Sequence, residues 1–192
     1  MNEEIRSPAS GRVIRIQRSG KFDPQTFKKR LIKNASHAVQ QPSGKFNQNA
    51  SIEGERIVSI FMHLHNVHLT TAPLDGVVKK ITPEKGNFKP AFLRSSDFNT
   101  KNTIKLSTNY GDIKIVQIAG FFTRKIICEV KEGQIVQKGE RIGKICLGSR
   151  VDLSIPEGFE ILVKEGARVK CKKTSIASLE TSSIRNKGDN YD

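Results

Sequence analysis

Val130–Ile145 reads VKEGQIVQKGERIGKI, and Val163–Leu179 repeats its outline as VKEGARVKCKKTSIASL. Both alternate apolar and polar residues around a Glu-Gly pair, the pattern of a strand, a tight turn and a returning strand. A second echo accompanies the first. SPASGRVIRI at Ser7–Ile16 and APLDGVVKKI at Ala72–Ile81 each place a proline shortly before a glycine that opens a β-branched run. Two echoes within one chain predict a duplicated β-architecture.

Paired hairpins of this kind resemble the flattened β-sandwich of biotinyl and lipoyl carrier domains. The expected fold class is therefore mostly β: a duplicated barrel-sandwich with biotinyl/lipoyl-like hairpins and one or two short helices. No lysine sits at a hairpin tip in a carrier-type motif, so swinging-arm chemistry has little support. Runs rich in β-branched residues predict strands over Val13–Ile16, Ile57–Met62, Ile113–Ile118, Lys125–Val130 and Ile142–Leu147. One helix is expected over Thr26–Gln40, where Phe27, Leu31, Ala35 and Val39 share a face and Lys28, Lys29, Arg30 and Lys33 lie elsewhere. That basic face reads either as a solvated surface or as a helix lying on anionic lipid. Gln41–Ser51 is a polar, turn-rich loop, residues 1–179 are expected to form a single domain, and residues 180–192 a polar, disordered tail.

The chain of 192 residues carries 33 Lys and Arg against 19 Asp and Glu, a net charge of +14 that favours an anionic partner: nucleic acid, a phospholipid surface or an acidic small molecule. Residues 1–50 hold ten basic and three acidic side chains, so this stretch supplies +7 of the total. The three cysteines, Cys128, Cys146 and Cys171, show no CxxC spacing, which argues against a disulfide framework or a thiolate zinc site and for free thiols in a reducing compartment. No apolar run reaches the roughly 20 residues of a membrane span, so any membrane contact is expected to be peripheral. Nucleic-acid binding rests on charge alone, without a recognised motif or an aromatic stacking platform, and is not expected.

Three of the four histidines crowd into FMHLHNVHLTTAP, Phe61–Pro73. In an extended chain His63 and His65 would project to one side and His68 to the other. Two imidazoles at this spacing could begin a zinc site, but no third ligand is placed by a recognisable motif, and no metal is expected. His63 and His37 are read as ordinary residues. CLGSRVDL, Cys146–Leu153, offers a different chemistry. Serine becomes a nucleophile when a base takes its proton, and neutral histidine is the usual base near neutral pH. If His68 lies across the sheet from Ser149, the hydroxyl can attack the carbonyl of Gly148, which is the serine's own peptide bond.

KIVQIAGFFTRKIICEVKEGQIVQKGERIGKICLGSRVDLSIPEG, Lys114–Gly158, resembles the core of the phosphatidylserine decarboxylases, in particular their short, archaeal-like branch. ERIVSIFMHLHNVHLTTAPLDGVV, Glu55–Val78, resembles the family block in which a strand ends in a Val-His pair shortly before a proline and a glycine. KNTIKL, Lys101–Leu106, and SPASGRV, Ser7–Val13, resemble two further segments.

The resemblance implies a proenzyme that cuts itself between Gly148 and Ser149 into a β chain, residues 1–148, and an α chain, residues 149–192. Ser149 would become a pyruvoyl group, the covalent cofactor, whose ketone forms a Schiff base with the amino group of phosphatidylserine. Loss of carbon dioxide would then give phosphatidylethanolamine. His68 matches the family histidine that acts as base for self-cleavage, Gly148 carries the scissile carbonyl, and His65 matches a position associated with decarboxylation. Expected partners are an anionic phospholipid substrate and the membrane surface. The cleaved chains are expected to stay associated, with possible homo-oligomers, and the protein to sit peripherally on the cytoplasmic face. One departure is plain: the first block reads PASG, with Ser10 where the family pattern has an aspartate that orients the base. The alternative reading is a catalytically impaired member acting as a lipid-binding module. Asp75, in the echoing APLDG, is the candidate substitute.

Overall fold

The computed structural model describes residues 3–18, 56–122 and 125–179. The expected helix at Thr26–Gln40, most of the basic stretch and the tail from Glu180 lie outside them. Among the described residues there are fourteen strands and one five-residue 3-10 helix, Arg94–Phe98, so the fold is mostly β as the alternating pattern predicts.

An eight-stranded sheet runs in the order β13 (Arg168–Val169), β2 (Gly11–Arg18), β3 (Arg56–Met62), β11 (Ser149–Ile155), β7 (Gly111–Ile118), β6 (Lys101–Thr108), β5 (Gly76–Glu84), β9 (Ile135–Val136). Two three-stranded sheets accompany it: β1 (Glu4–Arg6), β14 (Ser175–Leu179), β12 (Phe159–Ile161), and β4 (Leu69–Thr71), β10 (Arg141–Ile145), β8 (Ile126–Cys128). Every paired strand is antiparallel. Ile60, Leu106, Ile115, Val151 and Leu153 are among the residues of one continuous apolar core. Fully burying such a side chain contributes about 1.5–3 kcal/mol each.

The two sequence echoes appear as structural twins. Val13 and Val78 each donate to the turn after a Glu-Gly pair, at Ala167 O and Gln134 O, and each accepts from that turn's glycine, Gly166 and Gly133. Ile16 N donates to Glu165 Oε1 and Ile81 N to Glu132 Oε1, both at 2.7–2.8 Å. Gly139 N and Lys172 N donate to Ala72 O and Ser7 O, and both turn residues have positive φ, +82° and +65°. The halves also bond one another reciprocally: Arg6 N donates to Pro73 O and Thr71 N to Pro8 O.

The duplication is nested. One half is continuous from Leu69 to Ile145, and the other is split into β1–β3 and β11–β14 around it. In the continuous half, β6 and β7 close as a hairpin whose last pair is Thr108 with Gly111. In the split half the matching pair is Met62 with Ser149, and the whole other half is inserted there. The chain crosses between halves twice, at residues 63–68 and 146–148, and those crossings carry His68 and Gly148. The barrel-sandwich duplication thus brings the two suspected reacting residues to one corner.

Candidate active site

Ser149 begins β11, a strand held on both sides by β3 and β7 and buried on both faces. Its side chain lies on the face that carries Val151 and Leu153 into the core. Just before it, Gly148 has φ +70°, a conformation that a Cβ makes costly. Gly120 makes the matching close approach. A Cβ there would overlap the Gly148 carbonyl oxygen, so position 120 admits only glycine without moving that carbonyl.

His68 ends the other crossing. Its backbone carbonyl accepts from Ile145 N at 3.2 Å, which fixes it beside β10 three residues before Gly148. Its ring Nδ1 lies 2.6 Å from Asn66 O. A carbonyl can only accept, so Nδ1 carries the proton and neutral His68 presents a lone pair at Nε2. Nε2 is buried without a protein partner among the described residues, and so is Ser149 Oγ. Buried polar atoms are almost always paired, because leaving one unmade costs about 1–3 kcal/mol. A buried hydroxyl and a buried imidazole nitrogen, each without a partner and each at the end of a crossing between the halves, are the groups that a nucleophile and its general base require.

The loop that carries the histidines is a tight turn and not a continued strand. Strand β3 stops at Met62, Asn66 N donates to His63 O, and Asn66 Oδ1 accepts from His63 N at 2.8 Å. The strand parity expected for His63 and His65 therefore does not apply. His63 packs edge-on against Phe61, with ring centroids 4.7 Å apart, while His65 is exposed on the wall of a cleft of about 670 Å³. Among the described residues no group of three or more His, Cys, Asp or Glu side chains is placed to hold a metal ion.

The cleft is also lined by Ser10, Cys171 and four cations, Arg12, Arg168, Lys170 and Lys173, and, among the described residues, by no carboxylate. Ser10 Oγ accepts from Cys171 N at 3.0 Å. In the twin half Asp75 Oδ1 accepts from Lys138 N at 2.6 Å. Position 10 and position 75 are thus structural equivalents, each capping the turn of its partner hairpin, and Asp75 lines a separate groove with Gln137 and Lys138. Asp75 does not serve His68; the backbone carbonyl of Asn66 does. The Cys171 thiol is pushed up from its ordinary pKa chiefly by burial, and it lies 3.2 Å from Thr71 Oγ1.

Arg150, next to Ser149, is 1% exposed. It binds Asp97, Ser96 and Asp152 on the outer face of the sheet. Gly120 and Arg150 fall inside the family-like block Lys114–Gly158 without a role assigned to either, and Asn66 falls between the histidines with none. Only the pairing of distant strands gives them their places.

A profile of the phosphatidylserine decarboxylases matches residues 1–177. The chain belongs to that family. Over 125 residues it is 43% identical to a Methanosarcina barkeri protein assigned by its name as an archaetidylserine decarboxylase proenzyme, covering 65% of this chain and 62% of the relative. It is 44% identical to a similarly named Methanothermobacter thermautotrophicus protein, covering 65% and 56%. It is 42% identical to the phosphatidylserine decarboxylase proenzyme of Streptomyces coelicolor, covering 65% and 57%. The matched region therefore spans about three fifths of the length of these relatives.

Proposed function

We propose that this family member is a self-cleaving decarboxylase of a serine phospholipid; the observation that carries this reading is that Ser149 Oγ and His68 Nε2 are both buried without a hydrogen-bond partner among the described residues, at the ends of the two crossings between the halves. In the maturation step His68 Nε2 takes the hydroxyl proton while Oγ attacks the Gly148 carbonyl carbon. The C–N bond breaks, an ester forms, and the proton passes to the released nitrogen. Loss of the Ser149 Cα proton then expels Gly148 as a carboxylate. One water replaces the nitrogen, which leaves as ammonia, and residue 149 ends as a pyruvoyl ketone. That ketone supplies the electron sink for decarboxylation of an α-amino acid.

The chain's own residues do the rest. Arg12, Arg168, Lys170 and Lys173 take the phosphate and carboxylate of the headgroup in the cationic cleft. His65, on the cleft wall, moves a proton as carbon dioxide leaves, a role that its exposure to the cleft supports. The small chain stays bound because β11 lies between β3 and β7.

No helix among the described residues is long and apolar enough to cross a membrane. Exposed apolar side chains gather instead on the loops around the scissile corner: Leu64 and Val67, Phe92, Phe121 and Phe122, and Leu147, with Phe122 71% exposed. Beside a cationic cleft, this collar suits peripheral docking on an anionic bilayer.

The test is release of labelled carbon dioxide from a phospholipid labelled in its serine carboxyl, with diacyl and dialkyl forms in parallel. Release together with an ethanolamine lipid product is the expected result. No release from either form would overturn the reading.

A further inference from the structure

Arg150 is a guanidinium with 1% exposure, one residue from the bond proposed to be cut. It is not idle. Nη2 donates to Asp97 Oδ1 at 2.6 Å and to Asp152 Oδ2 at 3.0 Å, Nη1 donates to Ser96 Oγ at 2.8 Å, and Nε lies 2.9 Å from Asp152 Oδ1. Against Asp152 one hydrogen bond, from Nη2, is joined by the close Nε–Oδ1 ion-pair contact, and charge-assisted bonds of this kind are the stronger class. Asp97 is in turn shared with Arg15 of β2 at 3.5 Å.

These partners divide at the cleavage site. Asp152 would belong to the small chain, whereas Ser96 and Asp97 would belong to the large one. Before cleavage, residue 149 is tethered through both of its peptide bonds. Afterwards it has lost its nitrogen and hangs only from Arg150. Backbone pairing continues along β11, but residue 149 is its terminal pair, where strands fray. The Arg150 side chain then adds a directional link, beyond the backbone pairing with β3 and β7, between the free end of the small chain and the large chain.

We propose that Arg150, clamped by Asp97 and Ser96, is a positioning residue for the mature site: it ties the new terminus of the small chain to the large chain and so fixes the group formed from Ser149. This rests on the self-cleavage proposed above. It predicts a division of effects, because the clamp matters after the bond is cut and not before.

The test uses the full chain with Asp97→Asn and Arg150→Lys. Asp97 is partly exposed, with a side chain at 44%, so Asp97→Asn weakens the clamp without emptying a buried site. Arg150→Lys keeps the charge and loses the guanidinium. Three readouts are taken: the time course of cleavage by intact mass, backbone hydrogen exchange in residues 150–153 of the cleaved protein, and kcat and KM on serine-phospholipid vesicles. In both variants cleavage should run to completion within about threefold of the parent time. Exchange should quicken at least tenfold, and kcat should fall at least tenfold with KM within threefold.

Parent-like exchange and kcat in a cleaved Asp97→Asn protein would overturn the clamp alone. An equal loss in cleavage and in kcat would also overturn it, by making Arg150 a general structural residue. A parent chain that never cleaves would overturn self-cleavage itself, and the clamp with it.

Discussion

Gly120 has no side chain and no hydrogen-bonding role in the chemistry, yet it sets where the scissile carbonyl sits, because a Cβ there would overlap the Gly148 oxygen. Gly120→Ala must displace that carbonyl or the loop that carries it. Overpacking costs typically about 1–3 kcal/mol, and a 1 Å misplacement of reacting groups costs about a hundredfold in rate. The variant should therefore fold with a modest loss of stability and cleave about a hundredfold more slowly. The fraction of cut chain against time, alongside a thermal melt, separates the two effects. At this scale the sequence was partly legible. Gly148, Ser149 and His68 stand out because a family pattern surrounds them. Asn66 does not, because what it contributes to His68 is a backbone carbonyl, which every residue has. The aspartate missing at position 10 looked like the loss of the base's partner. The structure instead makes Ser10 a turn cap and gives the tautomer of His68 to Asn66 O.

Strand β11 serves two chemistries on its two faces. Ser149, Val151 and Leu153 face the core, while Arg150 and Asp152 face the 3-10 segment and β3. Burial is the main cause that raises the Asp152 carboxyl above its ordinary range, with Arg150 opposing it. A carboxyl raised by folding holds its proton more tightly in the folded chain than in the unfolded one. Its contribution to stability is therefore greatest below the unfolded value, near 3.8, and is lost as pH climbs through the raised folded value. Asp152→Asn should remove that downward slope from this window and leave the rest of the stability profile unchanged in shape. Urea unfolding at a series of pH values reads it directly. Alternation predicted which residues of such strands face inward, but not the ion pair on the far side, since Asp97 is more than fifty residues away in sequence.

At the scale of the whole molecule, the duplication was legible because both halves use the same turn chemistry. A glutamate caps a strand N–H, and the Gly that follows it closes a turn, once at Glu132-Gly133 and once at Glu165-Gly166. The nesting was not legible, because echo positions do not say which half interrupts the other. It is nevertheless what creates the site: an opened hairpin between Met62 and Ser149, with both crossings at one corner. The apolar collar around that corner also eludes pattern reading, because its members lie on separate loops. If the collar docks on lipid, Phe92→Ser and Leu64→Ser together should lower flotation with anionic liposomes several-fold. Raising salt should weaken the parent's binding without abolishing it, since only the cationic part is screened. Unchanged flotation would assign membrane contact to another surface.

The central claim is that Ser149 and His68 cut the chain and leave a ketone, and intact mass under denaturing conditions tests it most directly. The purified protein should resolve into residues 1–148 with a new carboxylate and residues 149–192 whose first residue reacts with phenylhydrazine, while Ser149→Ala should remain one chain of 21.4 kDa. A parent protein that stays a single chain with its serine unaltered would contradict the account.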